Sequence, residues 1–116
     1  MIIEETSGYK NSKKKIKNNH ESLDIHDKVR SHIYAAKNRD DLINNPISRL
    51  YGYEELKNDL SGYHRFSLCK NASHGKFRLV FSFIDDDTIR LEYVSDEHYM
   101  DFKRYLRKAG VKNVAC

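Results

Sequence analysis

Three arginines, Arg65, Arg78 and Arg90, stand one in each of three strand-like runs between Leu56 and Tyr99. Read at a period of two, His64, Phe66 and Leu68 alternate with Tyr63, Arg65 and Ser67, and Phe77, Leu79, Phe81 and Phe83 alternate with Arg78, Val80 and Ser82. The third run, Thr88 to Val94, sends Ile89, Leu91 and Tyr93 to the apolar side and Arg90 and Glu92 to the other. Neighbouring strands of an antiparallel meander lie about 4.8 Å apart, so guanidiniums from three adjacent strands can converge on one small anion such as a phosphate. A sheet with one solvated face shows the same alternation. The arginine face therefore reads either as an anion seat or as a wet surface. Arg78 is the hardest to leave to solvent, because a charge among Phe77, Leu79, Val80 and Phe81 needs water or a partner.

The elements that must position these residues follow in chain order. Met1 to Thr6 suits a short edge strand, ended by Ser7 and Gly8. Tyr9 to Asn19 is dominated by Lys10, Lys13, Lys14, Lys15 and Lys17, so a helix here covers the core with little more than Tyr9 and Ile16 and turns a charged face outward. Leu23, Ile25, Val29, Ile33 and Ala36 fall mostly at helical spacing, with Ser22 or Asp24 as N-cap and an end near Asn38. A further turn at Asp40 to Ile43 extends this helix before Asn44, Asn45 and Pro46 stop it. Ile47 to Tyr63, which holds Glu54 and Glu55, reads as a loop with Gly52 and Gly62 at its special backbone positions. The three strands are joined by a loop at Asn71 to Lys76 and a tight turn at Asp85, Asp86 and Asp87. Asp96 or Ser95 then caps a C-terminal helix with Phe102, Leu106 and Ala109 as its apolar stripe and Gly110 just past its end. The expected fold is α+β: a four-stranded, mainly antiparallel, twisted sheet with the N-terminal helices on the Phe66, Leu79, Phe81 and Leu91 face.

A chain of 116 residues supports one domain, 1–116, around a single core. With 39% hydrophobic and 33% charged residues, that core is thin and the surface heavily charged. The net charge of +4 permits nucleic-acid binding without demanding it. Cys69 and Cys116 have no metal or redox spacing, which argues for a reducing compartment. His20, His26, His32, His64 and His74 make no metal-binding pattern, and there is no Gly-rich phosphate loop, so neither a metal nor a cofactor is expected. No apolar run approaches the roughly 20 residues of a membrane span, and the expected location is the cytoplasm.

YEELKNDLSGYHR, then FRLVF, then EHY, in that order and spacing from Tyr53 to Tyr99, resemble the toxins of the RelE/ParE superfamily of bacterial type II toxin-antitoxin modules, nearest the YoeB and RelE branch. The resemblance implies a small basic ribonuclease that enters the ribosomal A site, cuts mRNA and is silenced by a cognate antitoxin in a toxin-antitoxin hetero-oligomer. It implies Glu54 as general base, Arg78 as the contact to the scissile phosphate, Arg65 as a second cation, and His98 with Tyr99 as the pair supplying acid and orientation. Lys57, Arg90, Lys13, Lys14 and Lys15 are the further residues expected to meet RNA.

Two features depart from the pattern. The chain runs 17 residues past Tyr99 where the YoeB pattern ends, which makes Tyr105 a rival for the functional tyrosine, and Ser67 stands where RelE-like members carry a lysine. Metal-free RNA cleavage needs a base for the 2′-hydroxyl, an acid for the leaving 5′-oxygen and cations for the growing phosphoryl charge. Glu54 or His98, His98 or Tyr99, and Arg78 with Arg65 fill those roles. The competing readings are a ParE-like, non-enzymatic gyrase poison and a non-catalytic RNA-binding domain.

Overall fold

The run FRLVF becomes the centre of a five-stranded sheet in a computed structural model that describes residues 1–69 and 77–110. In chain order the elements are β1 (Ile2–Glu5), α1 (Ser7–Ser12), a 3₁₀ turn (Lys13–Ile16), α2 (His20–Ala35), α3 (Arg39–Asn44), α4 (Pro46–Leu50), β2 (Glu54–Glu55), a 3₁₀ turn (Asn58–Leu60), β3 (His64–Ser67), β4 (Phe77–Phe83), β5 (Thr88–Asp96) and α5 (Met100–Lys108). The sheet order is β1-β5-β4-β3-β2, with β1 parallel to β5 and the other pairs antiparallel. The expected four strands become five because Glu54 and Glu55, assigned to a loop, pair with Arg65 and His64. A two-residue strand carries no alternation to read. The loop expected at Asn71 to Lys76 lies outside the described residues, as does Cys116.

Helix starts follow side-chain chemistry more closely than apolar spacing. Asn19 accepts from the Ser22 backbone N–H and starts α2 a turn earlier than the apolar stripe indicates. Asn38 accepts from the Asp41 N–H and opens α3 as a separate helix, where an extension of the preceding one was expected. Pro46, read only as a stop, takes the first position of α4 behind Asn45 as cap, since its missing N–H is one a first turn leaves unpaired anyway. Thr6 caps α1, and the lysine run then tightens into the 3₁₀ turn, burying Tyr9 and Ile16 as expected.

The main core lies between α2 and the sheet, where Ile25, Val29 and Ile33 meet Phe66, Leu79, Phe81 and Leu91. The third strand departs from simple alternation. Val80 pairs with Tyr93 but Phe81 pairs with Leu91, so Glu92 is an extra residue in β5. Such a bulge reverses the side-chain parity beyond it. Tyr93, expected inward, therefore joins Val80, Phe102 and Leu106 on the opposite face, while Val94 enters the main core. That opposite face is not simply wet, because α5 packs on it.

Lys15 holds α5 in place. Its ammonium binds the Asp101 carboxylate, donates to the Val94 carbonyl at 3.1 Å and lies 4.5 Å from the centre of the Tyr93 ring. Among the described residues no helix is long and apolar enough to cross a membrane.

Three imidazoles sit in or against the core. His26 is fully buried, with Nε2 2.6 Å from the Tyr9 hydroxyl and Nδ1 2.9 Å from Asp27. His64 meets the Tyr53 hydroxyl at 2.8 Å, and His32 meets that of Ser48 at 2.7 Å. Burial lowers the pKa of each; for His26 it outweighs the upward pull of the exposed Asp27, and Lys13 and Arg30 add to the lowering. As pH falls, the unfolded chain takes up protons first, near pH 6.5, while the native imidazoles stay neutral to lower pH. The stability they confer is thus complete above about pH 6.5 and declines below it. Urea unfolding is expected to show a lower midpoint at about pH 5.5 than at about pH 7.5. Equal midpoints would contradict the burial argument.

Candidate active site between the sheet and the last helix

Strand register brings two of the three arginines together. Arg65 lies opposite Val80 and Ser67 opposite Arg78, so Arg65 and Arg78 are diagonal neighbours on the face that α5 covers. Arg90 lies opposite Ser82, four residues along β4 from Arg78 and roughly 13 Å away at the rise of a strand. Its guanidinium is bound to Glu4, with Nη2 at 3.2 Å. The three-arginine convergence is therefore corrected to two. The turn at Asp85 to Asp87 folds β5 back so that Arg90 lies beside the turn end of β4 and Arg78 at the far end.

β2 delivers the carboxylate. Paired with Arg65 in the ladder, Glu54 accepts from Arg65 Nη2 at 2.6 Å, while Arg65 Nη1 donates to Ser67 Oγ at 2.7 Å. Arg65 is mostly covered, at 15% side-chain exposure, whereas Glu54 remains 60% exposed. Behind this pair stands Gly52, with φ of +73°. A Cβ there would lie 2.7 Å from Ser67 Oγ and 3.3 Å from Arg65 Nη1. The sequence marks Gly52 only as a special backbone position. Its second role, leaving room for the guanidinium, depends on a contact between β3 and the segment before β2 that has no local signature.

Arg78 is nine-tenths buried, donates to its neighbour Phe77's carbonyl at 3.3 Å and lies near enough to the Tyr99 phenol for its charge to act on that group. Tyr99 occupies the left-handed backbone region, with φ of 61°, as the residue that opens α5. Non-glycine residues use this region sparingly. Asp96 holds the turn: its carbonyl accepts from the Tyr99 N–H, and its carboxylate accepts from the backbone N–H groups of His98 and Met100. Burial pushes the Tyr99 phenol above its ordinary pKa, Arg65 and Arg78 pull it partly back, and Glu54 adds to the rise. At neutral pH the group is a protonated phenol held against two cations.

The other expected residues lie elsewhere. The His98 side chain is 78% exposed and turned to Glu97 at 3.4 Å, and no described contact joins it to Arg65, Arg78 or Tyr99. Tyr105 packs on Tyr93, with ring centres 5.0 Å apart, and its hydroxyl abuts Gly8 so closely that a Cβ there would lie 2.6 Å from it. Tyr105 is a packing residue, and Tyr99 is the tyrosine of the arginine cluster. Of the cations expected to meet RNA, Lys15 is engaged with Asp101 and Arg90 with Glu4, Lys57 and Lys14 are exposed, and Lys13 is half-buried. The correction for Lys15 has a plain cause: it stands three residues after the buried Ser12, one 3₁₀ turn on, and so faces the stretch of β5 where Ser12 Oγ accepts from the Val94 N–H. Among the described residues, no three His, Cys, Asp or Glu side chains are grouped as a metal ion would need.

Together these residues set two guanidiniums beside an exposed carboxylate and a protonated phenol. No family model and no curated protein matches the chain. Among solved structures, its fold is similar to that of YafQ from E. coli, at 17% identity over 84% of this chain and 94% of that one, with a TM-score of 0.59. The E. coli DinJ-YafQ toxin-antitoxin complex gives 14% identity over 84% and 93%, with a TM-score of 0.59. The heterotetrameric YoeB-YefM toxin-antitoxin complex of Staphylococcus aureus gives 21% identity over 85% and 98%, with a TM-score of 0.54. The last two are toxin-antitoxin complexes, in line with the group the sequence resembles. The fold is the α+β fold of RelE-like toxins, with a mixed five-stranded sheet.

Proposed function

We propose that this protein is the toxin of a type II toxin-antitoxin module, a metal-independent endoribonuclease that cuts mRNA in the ribosomal A site. The observation that carries this reading is the convergence of Arg65, Arg78, Glu54 and Tyr99 on one sheet face, in a fold shared with toxins crystallised with their antitoxins. Arg78 and Arg65 hold the scissile phosphate. Its arrival replaces the carboxylate on Arg65 Nη2 and releases the exposed Glu54 to accept the 2′-hydroxyl proton. The 2′-oxygen attacks phosphorus, the bond to the 5′-oxygen breaks, and the products are a 2′,3′-cyclic phosphate and a 5′-hydroxyl. Tyr99 supplies the proton to the leaving oxygen, and the two guanidiniums stabilise its phenolate until a proton returns. We assign the acid to Tyr99 and not to His98, because the Tyr99 phenol lies in the field of Arg65 and Arg78 while the His98 side chain turns to Glu97.

A net charge of +4 gives a weak hold on free RNA, so the ribosome supplies part of the geometry. The cognate antitoxin silences the toxin with an acidic segment laid over Arg65 and Arg78. Expression without that partner is expected to arrest growth and translation, and the purified protein should cut ribosome-bound mRNA while leaving naked RNA nearly intact. Primer extension on translated transcripts reads the cuts. Intact transcripts together with inhibited gyrase supercoiling would overturn the nuclease reading in favour of a gyrase poison.

A further inference from the structure

Three of the four basic side chains of α5 lie on the face turned away from the sheet. At about 100° per residue, Phe102 and Leu106 point toward Val80 and are buried, while Met100, Arg104, Arg107 and Lys108 fall on the opposite side and are exposed. Residues 100–108 hold four basic side chains and one acid, and that acid, Asp101, is bound to Lys15. Lys103 is paired with Asp59 at 3.2 Å, and no ion pair among the described residues engages Arg104 or Lys108. The helix opens at Tyr99, whose phenol lies in the field of Arg65 and Arg78, so α5 starts beside the anion seat and extends about 13 Å from it.

We propose that Arg104, Arg107 and Lys108 form a track for the phosphate backbone of single-stranded RNA, continuous with the Arg65 and Arg78 seat. The choice of RNA rests on the nuclease reading; the choice of surface rests on α5. A polyanion suits this ridge better than a folded protein does. The centre of a protein interface is depleted of charge, and here Met100 is the sole exposed apolar side chain along the helix. The track also relocates the RNA contact from Arg90 and Lys15, both held by carboxylates, to cations without such partners in Arg104 and Lys108.

The test is salt-dependent binding of a labelled single-stranded RNA of about 20 nucleotides to the full chain, since each phosphate contact to a single strand adds about 0.7 to the slope of log affinity against log salt. The double variant Arg104→Ala/Lys108→Ala is expected to lower that slope by about 1.4 and the low-salt affinity on the order of ten-fold. The exchange variant Arg104→Lys/Lys108→Arg keeps both charges and should retain the original slope; with an unchanged circular dichroism spectrum, this separates charge from folding. Three results would overturn the track: equal slopes for the original protein and the alanine variant, no salt-dependent RNA binding by the original protein, or tighter binding of a polyglutamate peptide that the same alanine pair abolishes. Failure of the nuclease reading looks different, as uncut ribosomal mRNA with the slope difference preserved. Failure of the track alone gives cut mRNA with equal slopes.

Discussion

Replacing Arg78 with alanine is expected to lower mRNA cutting on ribosomes by on the order of 10²-fold or more, about 2.7 kcal/mol of transition-state stabilisation. The size follows from position. Arg78 is nine-tenths buried, its charge acts on the Tyr99 phenol, and Arg65 is its diagonal neighbour. A cation so shielded from water acts on developing phosphoryl charge far more strongly than an exposed one. Its removal also takes away one of the two charges that act on the Tyr99 phenol, so the acid suffers with the anion seat. Arg78→Lys keeps a charge but loses the planar fork that spans phosphate and phenol, and should recover little of the rate. Single-turnover cleavage on programmed ribosomes measures the effect, with circular dichroism as a check on the fold. An Arg78→Ala protein that is folded and cuts as fast as the original would remove the anion seat from the mechanism.

Tyr99→Phe isolates a single oxygen. The ring packs against the cluster of Val80, Phe102 and Leu106, and phenylalanine preserves that packing. Loss of this one hydroxyl costs about 1 kcal/mol of stability at most, so the thermal midpoint should shift by only a few degrees. Removal of a general acid, by contrast, lowers the rate by about 10²- to 10⁴-fold. Tyr105→Phe provides the matched control, since Tyr105 packs on Tyr93 beside Gly8 and lies outside the arginine cluster. If both substitutions leave cleavage unchanged, Tyr99 is a core aromatic and the leaving oxygen takes its proton from another source. Loss of activity in Tyr105→Phe alone would reverse the assignment of the two tyrosines.

The alternation of Phe77, Leu79, Phe81 and Phe83 with Arg78, Val80 and Ser82 was enough to define the core face of the central strand, because a strand's side-chain period is fixed by its backbone. The same local logic placed Tyr9 and Ile16 in the core and put α2 on Phe66, Leu79, Phe81 and Leu91. The α+β class and the RelE-like resemblance were legible for that reason: both rest on patterns within single segments and on the order of those segments. Register, in contrast, is a relation between segments. It separated Arg90 from Arg65 and Arg78, raised Glu54 from a loop to a strand facing Arg65, and through the extra residue Glu92 turned Tyr93 to the opposite face. The choice between Tyr99 and Tyr105 belongs to the same class. Both stand in the same stretch of sequence, and only the docking of α5 through Lys15 and Asp101 sets one beside Arg78 and the other beside Gly8. Residue types and their local period determined which groups are available for chemistry; the packing of one element against another, which no single segment encodes, decided which of those groups meet.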